Sequence, residues 1–130
     1  MIEQLLDTRV LLLFLQNDPA LPDPLAKRIE SPQNRSLVSL ASLWELTQKQ
    51  ASGLLKFEAA QRPDFPDLLI EEGFEVLPIE WRTMRRAAGL PRHHSDPTDR
   101  ILVAEAITRN IPILSLDETF DLYKIPRISG

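Results

Sequence analysis

The chain has 130 residues, 43% of them hydrophobic and 26% charged, with no cysteine and a net charge of −4. That length suits one domain, 1–130, with a core of its own, and the missing cysteine excludes a disulfide framework and a thiolate metal site while fitting a reducing, cytoplasmic setting. The acidic balance argues against gripping long nucleic acid by bulk electrostatics, but a short single strand in a local groove stays open. In chain order, residues 2–6 read as a short buried strand ending at Asp7, and Thr8 to Leu15 as a helix stopped by Asp18-Pro19. The apolar run from Val10 to Leu15 is too short to cross a bilayer and makes a poor signal peptide, so no membrane association is expected. Leu11, Leu12, Phe14 and Leu15 are assigned to the core rather than to a dimer face.

A second helix is expected over residues 24–29 and a short strand over 37–39. Ser42 to Ala51 reads as helix, with Leu43, Trp44, Leu46 and Thr47 on its packed side and Gly53 as its stop. Residues 64–72 form another amphipathic helix closed by Gly73, followed by a strand over 74–77 and a helix over 80–88. A helix over 97–108 follows a polar loop, and Ile111 to Leu116 is the last clear strand, running into a short helix or turn over 117–123. Apolar strands alternating with helices predict an α/β fold: a short parallel sheet of four to five strands with helices on both faces. In such sheets ligands bind beyond the carboxyl ends of the strands.

The stretch His94-Ser95-Asp96-Pro97-Thr98-Asp99-Arg100 opens the 97–108 helix. Asp96 suits the N-cap, Pro97 the first helical position, and Asp99 stands three residues after the cap. Asp99, Leu102, Val103 and Ala106 share one helical stripe, so Asp99 lies at the rim of the face that meets the core. A carboxylate there is costly to desolvate unless something pairs with it. A plain capping pair of Asp96 and Asp99 is one reading, and a cation-binding carboxylate is the other.

Two strands run into aspartate, Asp7 and Asp117, which parallel strands would bring to one edge of the sheet. Each also suits a helix cap. Glu45 sits mid-helix beside the small residues Ala41 and Ser42, where another surface can approach, or is an ordinary exposed glutamate. Gathered into one pocket, these acids would repel by roughly 3 kcal/mol per pair at about 5 Å and an effective dielectric near 20. Protons or a cation must then neutralise them, and oxygen-only ligands favour Mg²⁺ or Mn²⁺. Arg82, Arg85, Arg86, Arg92 and Arg100 crowd one stretch with His93 and His94, as a solvated face or as a phosphate-binding rim.

Four segments resemble the motifs of PIN-domain ribonucleases: Leu5-Leu6-Asp7-Thr8, Ser39 to Glu45, His94 to Arg100, and Ile113 to Asp117. Their order and spacing resemble the VapC toxin group of type II toxin–antitoxin systems, over about residues 4–128. The resemblance implies a three-layer PIN-like fold, one or two Mg²⁺ or Mn²⁺ ions, and cleavage of single-stranded or loop RNA. Asp7, Glu45, Asp99 and Asp117 match the four acidic positions, as metal ligands with Glu45 as ligand or water-orienting base. Asp96 and Ser115 match supporting positions, and Arg100, Arg92 and Arg9 are candidate contacts to RNA phosphates. Arg9 stands where many close relatives have histidine, and Thr98 where many have phenylalanine. A VapB-like antitoxin covering the site and a homodimer are the implied partners. The alternative is a PIN-like binding module without catalysis that acts through a protein partner. A receiver domain of a signalling relay would want a lysine after a late strand, and residues 113–118 hold none.

Overall fold

The computed structural model describes residues 2–130. Five strands build one sheet: β1 (Ile2–Leu6), β2 (Asn34–Ser39), β3 (Glu75–Leu77), β4 (Ile113–Leu114) and β5 (Arg127–Ile128). Six helices flank it: α1 (Thr8–Leu15), α2 (Asp23–Glu30), α3 (Leu40–Ala51), α4 (Phe65–Glu71), α5 (Trp81–Gly89) and α6 (Pro97–Arg109). Short 3₁₀ turns occupy Glu58–Gln61 and Glu118–Leu122. The strand order is β3-β2-β1-β4-β5, with every pairing parallel. Leu5 of β1 pairs with Leu37 on one side and Ile113 on the other. The chain therefore leaves β1 in one direction for β2 and β3, and returns on its other side for β4 and β5. That reversal opens a crevice at the carboxyl ends of β1 and β4.

Successive side chains of a strand point to opposite faces, so an apolar strand buried on both faces feeds two cores. Leu6, Val38 and Leu114 pack with Val10, Leu11, Leu25, Leu43, Leu46 and Leu69 from α1 to α4. Leu5, Leu37 and Ile113 pack on the other face with Leu102, Val103 and Ala106 of α6 and with Phe120 and Tyr123. Each fully buried leucine contributes about 1.5–3 kcal/mol of transfer free energy. Leu11 is buried, and Leu12, Phe14 and Leu15 pack against the first core, as the core reading expects. Among the described residues no helix is long and apolar enough to cross a membrane.

The element boundaries differ from the sequence reading in a few places. β2 starts at Asn34 rather than Leu37, because its first half pairs with β1 from Ile2 onward. β4 is only Ile113–Leu114, although the Ser115 N–H still reaches the Ile128 carbonyl at 3.1 Å. β5 is an addition: two residues behind Pro126 carry no periodicity to read. Trp44 and Thr47 are exposed, not packed; the buried face of α3 is Ala41, Ser42, Leu43 and Leu46. α6 ends where Asn110 adopts φ 56°, a left-handed stop that asparagine tolerates.

One buried acid lies away from the crevice. Glu105 of α6 is 5% exposed, and its Oε1 has no hydrogen-bond partner among the described residues. Burial pushes its carboxyl up to about 7, against the opposing pull of Ser39 and Arg109. The folded chain thus holds this proton above the ordinary pKa of 4.5, so the protein is most stable below that value and loses stability as pH rises through about 7. Glu105→Gln should remove that slope and stabilise the fold at pH 8 by about 2 kcal/mol, measured by urea denaturation at pH 5 and pH 8.

Candidate metal centre

The crevice at the ends of β1 and β4 is lined by Asp7, Glu45, Asp96, Asp99, Asp117 and Glu118, with Arg9 and Lys49 as its cations. Each acid reaches it for a local reason. Asp7 ends β1 and caps α1, its Oδ1 accepting the Val10 N–H at 2.7 Å. Asp7 also lines the crevice, so the cap and the site coexist. Asp7 is 5% exposed; burial raises its pKa, the Ser115 hydroxyl and the Val10 N–H pull it back, and the charge on Asp117 raises it again.

Glu45 projects from α3 one turn beyond Ser42. The Thr8 hydroxyl donates to the Ser42 hydroxyl at 2.9 Å, tying the start of α1 to α3. That tie works because Ala41 and Ser42 are small and buried. Glu45 itself pairs with Lys49 Nζ at 2.6 Å, one turn along the same helix. The Glu45 carboxylate holds the Lys49 ammonium above its ordinary pKa, with Asp96 and Asp99 adding to the field.

Asp96 caps α6 by accepting the Thr98 N–H at 2.8 Å. Asp99 stands half-buried in the first turn of α6. Burial, then the charge of Asp96, pushes its pKa up to about 6; Glu45 and Asp7 add to the rise and His94 opposes it. Asp117 caps the 3₁₀ turn after β4, Oδ1 accepting the Thr119 N–H at 3.0 Å. Its Oδ2 meets His94 Nε2 at 3.0 Å. Burial pushes the Asp117 carboxyl up, but the Thr119 N–H and His94 outweigh it and hold the pKa below its ordinary value. Ser115, fully buried, accepts the Asp117 N–H at 3.0 Å and so shapes the turn that presents this acid.

The structure thus places Asp7, Glu45, Asp99 and Asp117, from four separate segments, around one crevice. Ligand atoms of His94, Asp99 and Asp117 all lie within 4.8 Å of one another. The donors suit a divalent cation, because neighbouring carboxylates and burial already raise the cost of ionising Asp7 and Asp99. His94 Nε2 stands beside the oxygens of Asp99 and Asp117, a nitrogen that the oxygen-only set expected from the sequence does not include.

Arg100 requires a correction. It is 7% exposed, and its guanidinium donates to the carbonyls of Ala87 (2.7 Å), Ala88 (3.3 Å), Leu90 (2.9 Å) and Pro91 (3.1 Å). Directly after Asp99, the helix turns Arg100 inward, so it clamps the end of α5 and cannot reach RNA phosphates. Arg9 is exposed at the crevice, and Arg92 is exposed on the loop 90–96. His94 and Lys49 are the site residues that sequence reasoning missed. Lys49 had a readable signal, since it stands four residues after Glu45 on one helix face. His94 had none, because its position depends on how a loop folds back on the sheet.

Comparison with solved structures gives the same fold at low identity. VapBC2 from Rickettsia felis, bound to a DNA fragment from its promoter, is 16% identical, with each chain covered over 98% and a TM-score of 0.72. FitAcB from Neisseria gonorrhoeae is 17% identical, covering 97% of this chain and 96% of its own, with a TM-score of 0.70. DNA-bound VapBC from Salmonella typhimurium is 20% identical over 98% of both chains, with a TM-score of 0.65. No curated protein matches the sequence. The PIN-domain family profile, however, matches residues 5–126, nearly the whole chain, and the chain therefore belongs to the PIN-domain family.

Proposed function

We propose that this chain is a VapC-type toxin, a metal-dependent endoribonuclease that hydrolyses phosphodiester bonds of single-stranded or loop RNA and is neutralised by a VapB-like antitoxin. The observation that carries this reading is the convergence of Asp7, Glu45, Asp99 and Asp117 on one crevice at the sheet's switch point. Asp7, Asp99 and Asp117 would hold Mg²⁺ or Mn²⁺. When bound, the ion supplies a water of lowered pKa and neutralises charge on the scissile phosphate. Glu45, now paired with Lys49, would be the carboxylate placed to accept a hydrogen bond from the attacking water and orient it. Lys49 and Arg9 then stand at the rim as cations for the flanking phosphates.

Support for a toxin with an antitoxin comes from the solved neighbours, several of which are VapBC complexes, and from the surface. Trp44, Leu54, Trp81 and Met84 are exposed, and Trp44 and Leu54 line an apolar groove that shares Glu45 and Lys49 with the acidic crevice. A protein partner seated there would bury apolar area and close the site at once. A homodimer in the cytoplasm, where its RNA substrate is found, completes the reading.

The test is direct. The purified chain should cleave single-stranded RNA in Mg²⁺ or Mn²⁺, and EDTA should stop it; dialysis back into metal should restore cleavage. No cleavage of a broad RNA panel with metal present would remove the nuclease reading and favour a binding module.

A further inference from the structure

We propose that His94 is a nitrogen ligand in the metal centre, which together with Asp99 and Asp117 makes the site select a first-row transition dication over Mg²⁺. The inference rests on the nuclease reading and sharpens it, because it replaces a purely oxygen-lined site with a mixed one.

His94 is held as a ligand would be. Its backbone N–H donates to the Tyr123 hydroxyl at 3.1 Å, and that hydroxyl donates to the Pro91 carbonyl at 3.1 Å. The imidazole lies parallel to the Tyr123 ring at 5.6 Å and tilts against Phe120 at 4.5 Å, measured between centroids. The residue is 7% exposed. This is a locked ring, not a mobile surface histidine. Among the described residues its buried Nδ1 has no hydrogen-bond partner, and the ring meets a polar side chain through its Nε2 edge, facing Asp117.

The spacing fits coordination. An octahedral ion with bonds of about 2.1 Å has neighbouring ligand atoms about 3 Å apart and opposite ones about 4.2 Å apart. Nε2 and Asp117 Oδ2 are 3.0 Å apart, and no ligand pair of the His94, Asp99 and Asp117 group exceeds 4.8 Å. For Nε2 to bind an ion as neutral imidazole, the ring proton now donated to Asp117 must move, by exchange with water, to Nδ1. Imidazole suits transition ions, whereas Mg²⁺ prefers oxygen donors. Histidine ligands usually donate their second N–H to an acceptor, and Nδ1 lacks one here. The gain in selectivity is therefore modest, about tenfold.

Mn²⁺ is the probe. Pulsed electron paramagnetic resonance on the untagged full chain should show ¹⁴N coupling from a directly bound imidazole. The coupling should persist in His93→Gln and vanish in His94→Gln. The ratio of Mn²⁺ to Mg²⁺ affinity should fall about tenfold in His94→Gln, with circular dichroism confirming its fold. The wild-type spectrum decides the question even if that variant misfolds. Bound Mn²⁺ without ¹⁴N coupling overturns the inference and leaves His94 only as a hydrogen-bond donor to Asp117, while metal-dependent RNA cleavage still stands. No Mn²⁺ binding at all overturns both this inference and the nuclease reading.

Discussion

Asp99→Asn should lower metal-dependent RNA cleavage by about a thousandfold or more while making the metal-free protein more stable. The two effects have one cause. Asp99 shares its crevice with Asp117, and burial together with the charges of Asp96, Glu45 and Asp7 lifts its pKa from 3.8 to about 6. Because the folded state holds the proton more tightly than the unfolded state, stability is greatest below about pH 4 and declines as pH rises through about 6. Asparagine removes that charge. Allowing for solvent screening of a half-exposed group, the variant should gain about 1 kcal/mol at pH 7.5 without metal. Added Mg²⁺ or Mn²⁺ should raise the melting temperature of the wild type and leave that of the variant nearly unchanged. Cleavage assays and thermal melts with and without metal check both signs. If Asp99 were only a capping residue, the variant would keep its activity and lose stability.

Arg100→Ala should be among the most destabilising single substitutions in the chain, by about 3 kcal/mol. The guanidinium sits at the carboxyl end of α5, where helix carbonyls lack intrahelical donors and carry partial negative charge. It donates to Ala87 and Ala88 there, and to Leu90 and Pro91 beyond. Alanine would leave these carbonyls facing a void. For a domain of this size the melting temperature should drop by roughly 10 °C. Lysine should rescue little, since one ammonium on a flexible stem cannot reproduce the planar fork. The damage would also spread to the site, because the same loop carries His94 and Asp96. Thermal denaturation of the alanine and lysine variants measures this. A melting temperature within two or three degrees of wild type would show that water replaces the clamp.

Periodicity and punctuation made most of the framework readable. The six helices, the apolar strands β1 to β4 and the acids at the ends of β1 and β4 follow from local pattern, cap chemistry and the rule that alternating elements form a parallel sheet. β5 was not readable, because two residues pair only after β4 offers them an edge. Trp44 was misplaced because an aromatic residue beside a buried leucine looks packed, whereas α3 buries a narrower face against the sheet. Arg100 was misplaced for the opposite reason. Its charge reads as surface, and only the approach of the α5 terminus supplies carbonyls enough to bury it.

By itself the sequence determined the kind of protein this is: local residue preferences, written in every helix start and strand, suffice for an α/β domain with acids at its strand ends. Only the tertiary structure decided which of those acids share a crevice, that Lys49 and His94 stand among them, and that Arg100 does not. The reason is distance along the chain. Caps and stripes are set by neighbours a few residues away, whereas a cluster drawn from residues 7, 45, 94, 99 and 117 exists only once the sheet has closed and the loop 90–96 is pinned beneath Tyr123.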